Sequence, residues 1–383
     1  QKKFSDSMEN NRNISKYLSF SDESLGKLSV FLIKEQNLCR YIQDKVNSSS
    51  SFANEHLFPN ILDNLKEVSV DTFGNYLVQI LMDALYPENF KLLVNKILVH
   101  FVELSNSCHG TRVIQKFVQK VSKTYPAYLK LVSNKLSENL MILVTNQYGN
   151  HVIQEYLSNV NYPTNDFIYQ IFYKHFTKVV NNKHGCCVIQ TLFTEGTFEQ
   201  KKKILTYIEE NLKQIFEDKF GNFIIQFILS EKINMSDIKP ILSKIGENLE
   251  HFSRIRNSSN ALEKIFENST DDVKNYLLNE LNKTSSLISD LICDENGNFV
   301  VQKALLAAKG EIYMKMLKVI SCTLNRLKKV KFGNNLIIRL LYAHPVLEKL
   351  ICKNDFIYGN KGNYSGPAEN KGKMPNFINT DSS

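Results

Sequence analysis

The sequence predicts an all-α solenoid, and three observations predict it. A six-residue phrase returns nine times along 383 residues, at intervals of 36 to 39 residues. A fixed period of this size belongs to stacked repeat proteins, whose units bury their apolar faces only against one another. Between the phrases run amphipathic stretches such as NFKLLVNKILVHFVEL (89–104) and EQKKKILTYIEENLKQIF (199–216), with apolar residues three and four apart, a helical spacing. Finally, the letters that change from copy to copy do so within a very small alphabet.

The copies read LCRYIQ (38–43), GNYLVQ (74–79), GTRVIQ (110–115), GNHVIQ (149–154), GCCVIQ (185–190), GNFIIQ (221–226), SSNALE (258–263), GNFVVQ (297–302) and GNNLII (333–338). On a helix the second and sixth letters share one face, one turn apart. The fourth and fifth, Val152 and Ile153 in the fourth copy, fall on the opposite side and suit the core. Asp71, Asn146, Asn182, Asp218 and Asp294 stand three residues before a phrase glycine, where a side-chain oxygen can cap the first turn. The glycine then sits inside that turn, at about 1 kcal/mol relative to alanine. Close approach by the neighbouring repeat or by a ligand would explain it, and the sequence leaves both open. Each period is expected to hold two main helices joined by short polar turns.

One continuous array accounts for residues 20–353. The segment 1–19 reads as a polar N-terminal flank without the apolar stretch of a signal peptide, and 354–383, rich in Asn, Gly, Ser and Lys, as a flexible polar tail. No apolar run reaches the roughly 18 residues of a membrane span. The seven cysteines include no CxxC pair, which argues against a disulfide framework or a zinc site and for a reducing, cytoplasmic setting. A net charge of +8 permits a polyanionic partner without demanding one.

There is no GxxxxGK[ST] loop and no HExxH motif, so neither a metal, a cofactor nor catalysis is expected. His109, His151 and His184 have ready roles in stacking or capping, the Cys186–Cys187 pair continues the repeat pattern, and Glu209, Glu210 and Lys201 to Lys203 read as a solvated outer face.

The changing letters carry the functional signal. The second letters are Cys39, Asn75, Thr111, Asn150, Cys186, Asn222, Ser259 and Asn298; the sixth are Gln43, Gln79, Gln115, Gln154, Gln190, Gln226, Glu263 and Gln302. Even copies pair Asn with Gln, and odd copies pair a small hydroxyl or thiol residue with Gln or Glu. Such pairs suit the edge of an unpaired base. The third letters, Arg40, Tyr76, Arg112, His151, Cys187, Phe223, Asn260 and Phe299, are mostly planar groups of the kind that stack on bases. Glu263 is the single acid among the sixth letters, and an ionised carboxylate only accepts hydrogen bonds, which fits the adjacent N1–H and N2–H donors of guanine.

On these residues about 330 of the 383 positions resemble the Pumilio/PUF family of single-stranded RNA-binding proteins. The resemblance implies a right-handed, crescent-shaped α-solenoid superhelix of eight PUF repeats with capping repeats, the degraded ninth copy being a C-terminal cap that reads no base. It implies one base per repeat, with Asn and Gln reading uracil, Cys or Ser with Gln reading adenine, and Ser with Glu reading guanine, on an RNA running antiparallel to the chain. Asn298/Gln302 would read U, Ser259/Glu263 G, Asn222/Gln226 U, Cys186/Gln190 A, Asn150/Gln154 U, Thr111/Gln115 A, Asn75/Gln79 U and Cys39/Gln43 A, giving 5′-UGUAUAUA-3′. Thr111 departs from the commoner Cys or Ser, and Cys187 and Asn260 depart from a planar stacker. The implied partners are 3′ untranslated regions of mRNA and factors of deadenylation or translational repression on the convex face, bound by a monomer that represses translation or promotes decay. An armadillo- or HEAT-like peptide scaffold gives no reason for the Asn/Gln alternation, and a non-specific PUF-like binder of ribosome biogenesis gives none for eight readable pairs.

Overall fold

A computed structural model describes residues 19–357. The predicted flank, apart from Ser19, and the predicted tail from 358 onward lie outside the described residues. The chain forms two compact units, one ending at Lys309 and the other beginning at Gly310.

The first unit holds eight phrases, each inside or opening a helix: Gln36–Ser48, Gly74–Ala84, Gly110–Thr124, Gly149–Asn159, Lys183–Glu195, Asn222–Ser230, Arg256–Asn268 and Gly297–Ala307. Each packs on the phrase helix before and after it, and no strand occurs among the described residues. The chain is therefore an all-α solenoid of repeats. Packing follows the phrase: from Leu77 and Val78 through Val152 and Ile153 to Val300 and Val301, the fourth and fifth letters are at most 1% exposed. Burying each of these side chains contributes about 1.5–3 kcal/mol. The first copy departs, with Tyr41 half-buried and only Ile42 fully enclosed.

The two-helix expectation holds for two periods only, where Pro87–Ser105 and Leu129–Thr145 run unbroken. Elsewhere the connecting stretch bends into a long and a short helix, as in Phe198–Glu210 with Leu212–Glu217 and Met235–Glu247 with Leu249–Arg254. These two bends fall at Asn211 and Asn248, whose φ/ψ of −111/18° and −114/21° leave helical geometry. Each amide donates to the carbonyl four residues back at 2.9 Å. Asn139 makes the same bond inside an unbroken helix, so the bond accompanies the bend rather than causing it.

The last turn of this connecting stretch explains the phrase glycine. A Cβ on Gly185 would lie 2.2 Å from the Val179 carbonyl oxygen, on Gly74 2.6 Å from that of Val68, and on Gly221 2.6 Å from that of Ile215. The crowding atom is in each case the carbonyl six residues upstream, within the same period. The seventh copy solves the problem differently, because Ser258 stands at the glycine position and donates its hydroxyl to the same carbonyl, that of Phe252, at 2.7 Å. The neighbouring repeat adds to the crowding at two places: Asn106 Oδ1 would lie 2.5 Å from a Cβ on Gly149, and Asn181 Oδ1 3.0 Å from one on Gly221.

The second unit consists of Gly310–Leu327, Gly333–Ala343 and Val346–Ile357. It starts at a glycine with φ of 56°, in the left-handed region where a side chain is strained. The Tyr313 hydroxyl and His344 Nδ1 lie 3.0 Å apart within it. Its last helix continues to Ile357, so residues 354–357 of the predicted tail are helical.

Candidate nucleic-acid interface

The starts of the phrase helices are built by the residues predicted to cap them. Asp218 Oδ1 accepts from the backbone N–H groups of Phe220 and Gly221 at 2.8 Å, and Asp71 does the same for Phe73 and Gly74. Asn146, Asn182 and Asp294 make the equivalent pairs of bonds. In the third copy Ser107 takes the role, accepting from Gly110 at 3.2 Å. Replacing Asp218 with alanine removes a cap shared by two donors and is expected to cost about 1 kcal/mol. Urea unfolding checks it, and an unchanged midpoint at unchanged slope would contradict it.

The second letters are not surface residues as the sequence suggested. All eight are buried, Asn75, Asn150, Asn222 and Asn298 being only 1–5% exposed. The physical reason is local: each spends its donor on the backbone at the start of a helix. The four Asn amides donate to the carbonyls three and four residues back, as Asn150 does to Gln147 at 3.0 Å and Asn146 at 2.8 Å. Cys39 and Thr111 donate across to the next period, to the carbonyls of Phe73 and Tyr148. Cys186 and Ser259 donate to those of Lys183 and Arg256. What remains of each second letter is an acceptor facing its own sixth letter.

The sixth letters are half-buried and use that acceptor. Gln79, Gln154, Gln226 and Gln302 donate Nε2 to the Oδ1 of the Asn one turn earlier at 3.1, 2.8, 2.7 and 2.9 Å. Gln115 donates to Thr111 Oγ1 and Gln43 to Cys39 Sγ, both at 3.2 Å. Each of these six amides is thus held by one N–H, with its carbonyl and second N–H left over. Glu263 has no proton to donate and cannot make this bond.

The third letters all point to solvent, with Tyr76, Phe223 and Phe299 at 58%, 49% and 43% exposure. The structure thus assembles eight copies of one arrangement: a buried acceptor, a half-buried amide or carboxylate, and an exposed third residue. Cys187 and Asn260 occupy the exposed place without a plane, as the sequence indicates.

The electrostatics are mild. Burial, then the charges of Arg112 and His184, holds the His151 imidazole below its usual range, and burial followed by Lys183 does the same for His184. Burial pushes the Cys39 thiol to about 11 and the Cys186 thiol to about 12, which keeps both protonated and poorly nucleophilic. No cluster of three His, Cys, Asp or Glu side chains suited to a metal occurs among the described residues. Nor is any described helix long and apolar enough to cross a membrane.

One set of contacts escaped the sequence reading. The residue directly after the sixth letter reaches back to the preceding phrase helix. Thr191 donates to Gln154 Oε1 at 3.3 Å, Lys116 pairs with Asp83 at 2.7 Å, Gln119 donates to Glu155 at 2.8 Å, and Lys303 pairs with Glu267. The signal was available as a complementary residue four places after the preceding sixth letter, at Asp83, Gln119 and Glu267.

A stack of helices offering one polar pair and one exposed side chain per period defines a modular, linear-ligand-binding solenoid. The Pumilio-family RNA binding repeat matches residues 64–98, 100–124, 139–169, 175–208, 256–281 and 288–321. Pumilio homolog 12 of Arabidopsis thaliana is 27% identical over 328 residues, covering 85% of this chain and 54% of that protein. Suppressor protein MPT5 of Saccharomyces cerevisiae is 28% identical over 331 residues, covering 81% of this chain and 36% of that protein. The chain thus spans about half or less of the length of these curated relatives. Among solved structures, a Puf4 RNA binding domain bound to the HO endonuclease RNA 3′ UTR recognition sequence is 27% identical with a TM-score of 0.71, covering 80% of this chain and 96% of that one. The chain belongs to the Pumilio/PUF family of RNA-binding repeat proteins.

Proposed function

We propose that this chain binds single-stranded RNA, one base per repeat, at 5′-UGUAUAUA-3′ sites in mRNA 3′ untranslated regions. The observation that carries the reading is the ladder of eight second- and sixth-letter pairs on successively packed helices. A glutamine held by one N–H offers outward one donor and one acceptor. Uracil, with N3–H beside a carbonyl, and adenine, with N6–H beside N1, both match that pattern. The buried second letter then distinguishes them by its size and acceptor. Glu263 offers acceptors only, which suits guanine at the second base. Exposed Tyr76, Phe223 and Phe299 stack on bases, at about 1–3 kcal/mol for each.

In this reading the chain regulates by occupancy rather than chemistry, acting as a cytoplasmic monomer that represses translation or promotes decay through factors on its outer helices. Titration of the purified chain with 5′-UGUAUAUA-3′, a scrambled sequence of the same composition and poly-U tests it. The first is expected to bind at least about a hundredfold more tightly than the others, since several mismatched bases each cost about 1–3 kcal/mol. Equal binding of all three would mean a non-specific nucleic-acid binder, and binding of none a protein scaffold.

A further inference from the structure

The guanine-reading repeat carries a charge problem that its neighbour solves. Glu263 is half-buried, and it lacks the internal hydrogen bond that anchors six of the glutamines. One turn further along the same helix face stands a second carboxylate, Glu267, at the i+4 spacing that brings side chains together. Lys303 reaches across from the next phrase helix, directly after Gln302, and pairs with Glu267; Lys264 holds the same carboxylate at 2.8 Å. The ammonium of Lys303 is thereby fixed beside the two acids rather than free in solvent.

We propose that Lys303 is a specificity-determining positioning residue: from the following repeat it supplies the positive charge that keeps Glu263 an acceptor-only carboxylate, and so keeps the repeat selective for guanine. This rests on the proposed assignment of guanine to Glu263. Burial raises the Glu263 carboxyl above its ordinary range, and Lys303 is the largest influence in the opposite direction. On its own helix Glu267 pushes it further up and Lys264 pulls it down; these are the charged groups that act on it. A protonated Glu263 would present an O–H donor to the N1–H and N2–H of guanine, and the match would be lost. Because the group is charged above its midpoint, guanine preference is complete at higher pH and falls as pH drops through that midpoint. Removing Lys303 shifts the loss to higher pH. The Thr191 bond to Gln154 has the same layout, with a seventh letter acting on the sixth letter of the repeat before it.

The test has two readouts on wild type, Lys303→Met and Lys303→Arg. The first is the titration of the Glu263 carboxyl carbon by NMR in the RNA-free chain, assigned with Glu263→Gln. The second is the affinity ratio of 5′-UGUAUAUA-3′ to 5′-UAUAUAUA-3′ between about pH 5 and 8 at constant ionic strength. In Lys303→Met the Glu263 midpoint is expected to rise, and the ratio to fall at least about fivefold below wild type near that midpoint, a tenfold effect corresponding to one pKa unit. Lys303→Arg is expected to retain both. An unmoved Glu263 titration overturns the proposal. So does an equal weakening of both RNAs by Lys303→Met at every pH, which would make Lys303 a phosphate contact. If the titration moves but wild type shows no preference between the two RNAs, the guanine assignment itself fails.

Discussion

Replacing Glu263 with glutamine is expected to abolish the preference for guanine at the second base of the site, at about 1–3 kcal/mol or roughly 5- to 150-fold in relative affinity. The variant would not merely lose a contact. Ser259 spends its hydroxyl proton on the Arg256 carbonyl at 3.1 Å, which leaves its oxygen free to accept from the amide of the introduced glutamine. That is the arrangement of Gln115 on Thr111, so the repeat becomes equivalent to one assigned to adenine. Fold stability should hold, because a half-buried carboxylate with no hydrogen bond of its own is replaced by a neutral group with one. Competition between RNAs differing only at the second base measures the change. An unaltered ranking of guanine over adenine would refute the assignment.

The second large effect is on folding. Gly185→Ala is expected to destabilise the chain by about 2–3 kcal/mol, the upper part of the usual range for overpacking. The added Cβ would meet the Val179 carbonyl oxygen at 2.2 Å and Val179 Cγ1 at 2.8 Å, so backbone must move rather than a flexible side chain. The move would displace the helix that carries Cys186 and Gln190, so affinity for the fourth base should drop as well. Gly297→Ala makes a useful comparison: its added Cβ would lie 2.9 Å from the Leu291 carbonyl oxygen and 2.9 Å from the mobile Leu291 Cδ2. A smaller loss is expected there. Equal losses in urea unfolding would show that the carbonyl contact is not what selects glycine.

Much of this molecule is legible in the sequence because a repeat shows the same solution several times. The apolar pair Val152 and Ile153, the caps Asp71 and Asp218, and the eight polar pairs all stand where the period places them, since each depends on contacts within a few residues. What escaped was set by packing across longer distances. The burial of Asn75 or Thr111 depends on how the helix start folds over it and on the next period's Tyr148, which letters in a phrase do not reveal. The choice between a ligand and a neighbour for the phrase glycine was open for the same reason, and the answer was a third atom, the carbonyl six residues upstream. The break of a connecting helix at Asn211, against its continuity through Asn139, shows one local hydrogen bond in two different backbones. Lys303 and Thr191 act on the repeat before their own, so a reading that treats each phrase as self-contained passes over them.

The central claim is that eight side-chain pairs on successive helices read eight bases in order. Selection from a fully randomised single-stranded RNA pool with the purified chain tests it most directly. The account predicts enrichment of UGUA followed by alternating uracil and adenine, with guanine fixed at the second base. Enrichment of sequences lacking UGUA, or of none above background, would contradict it.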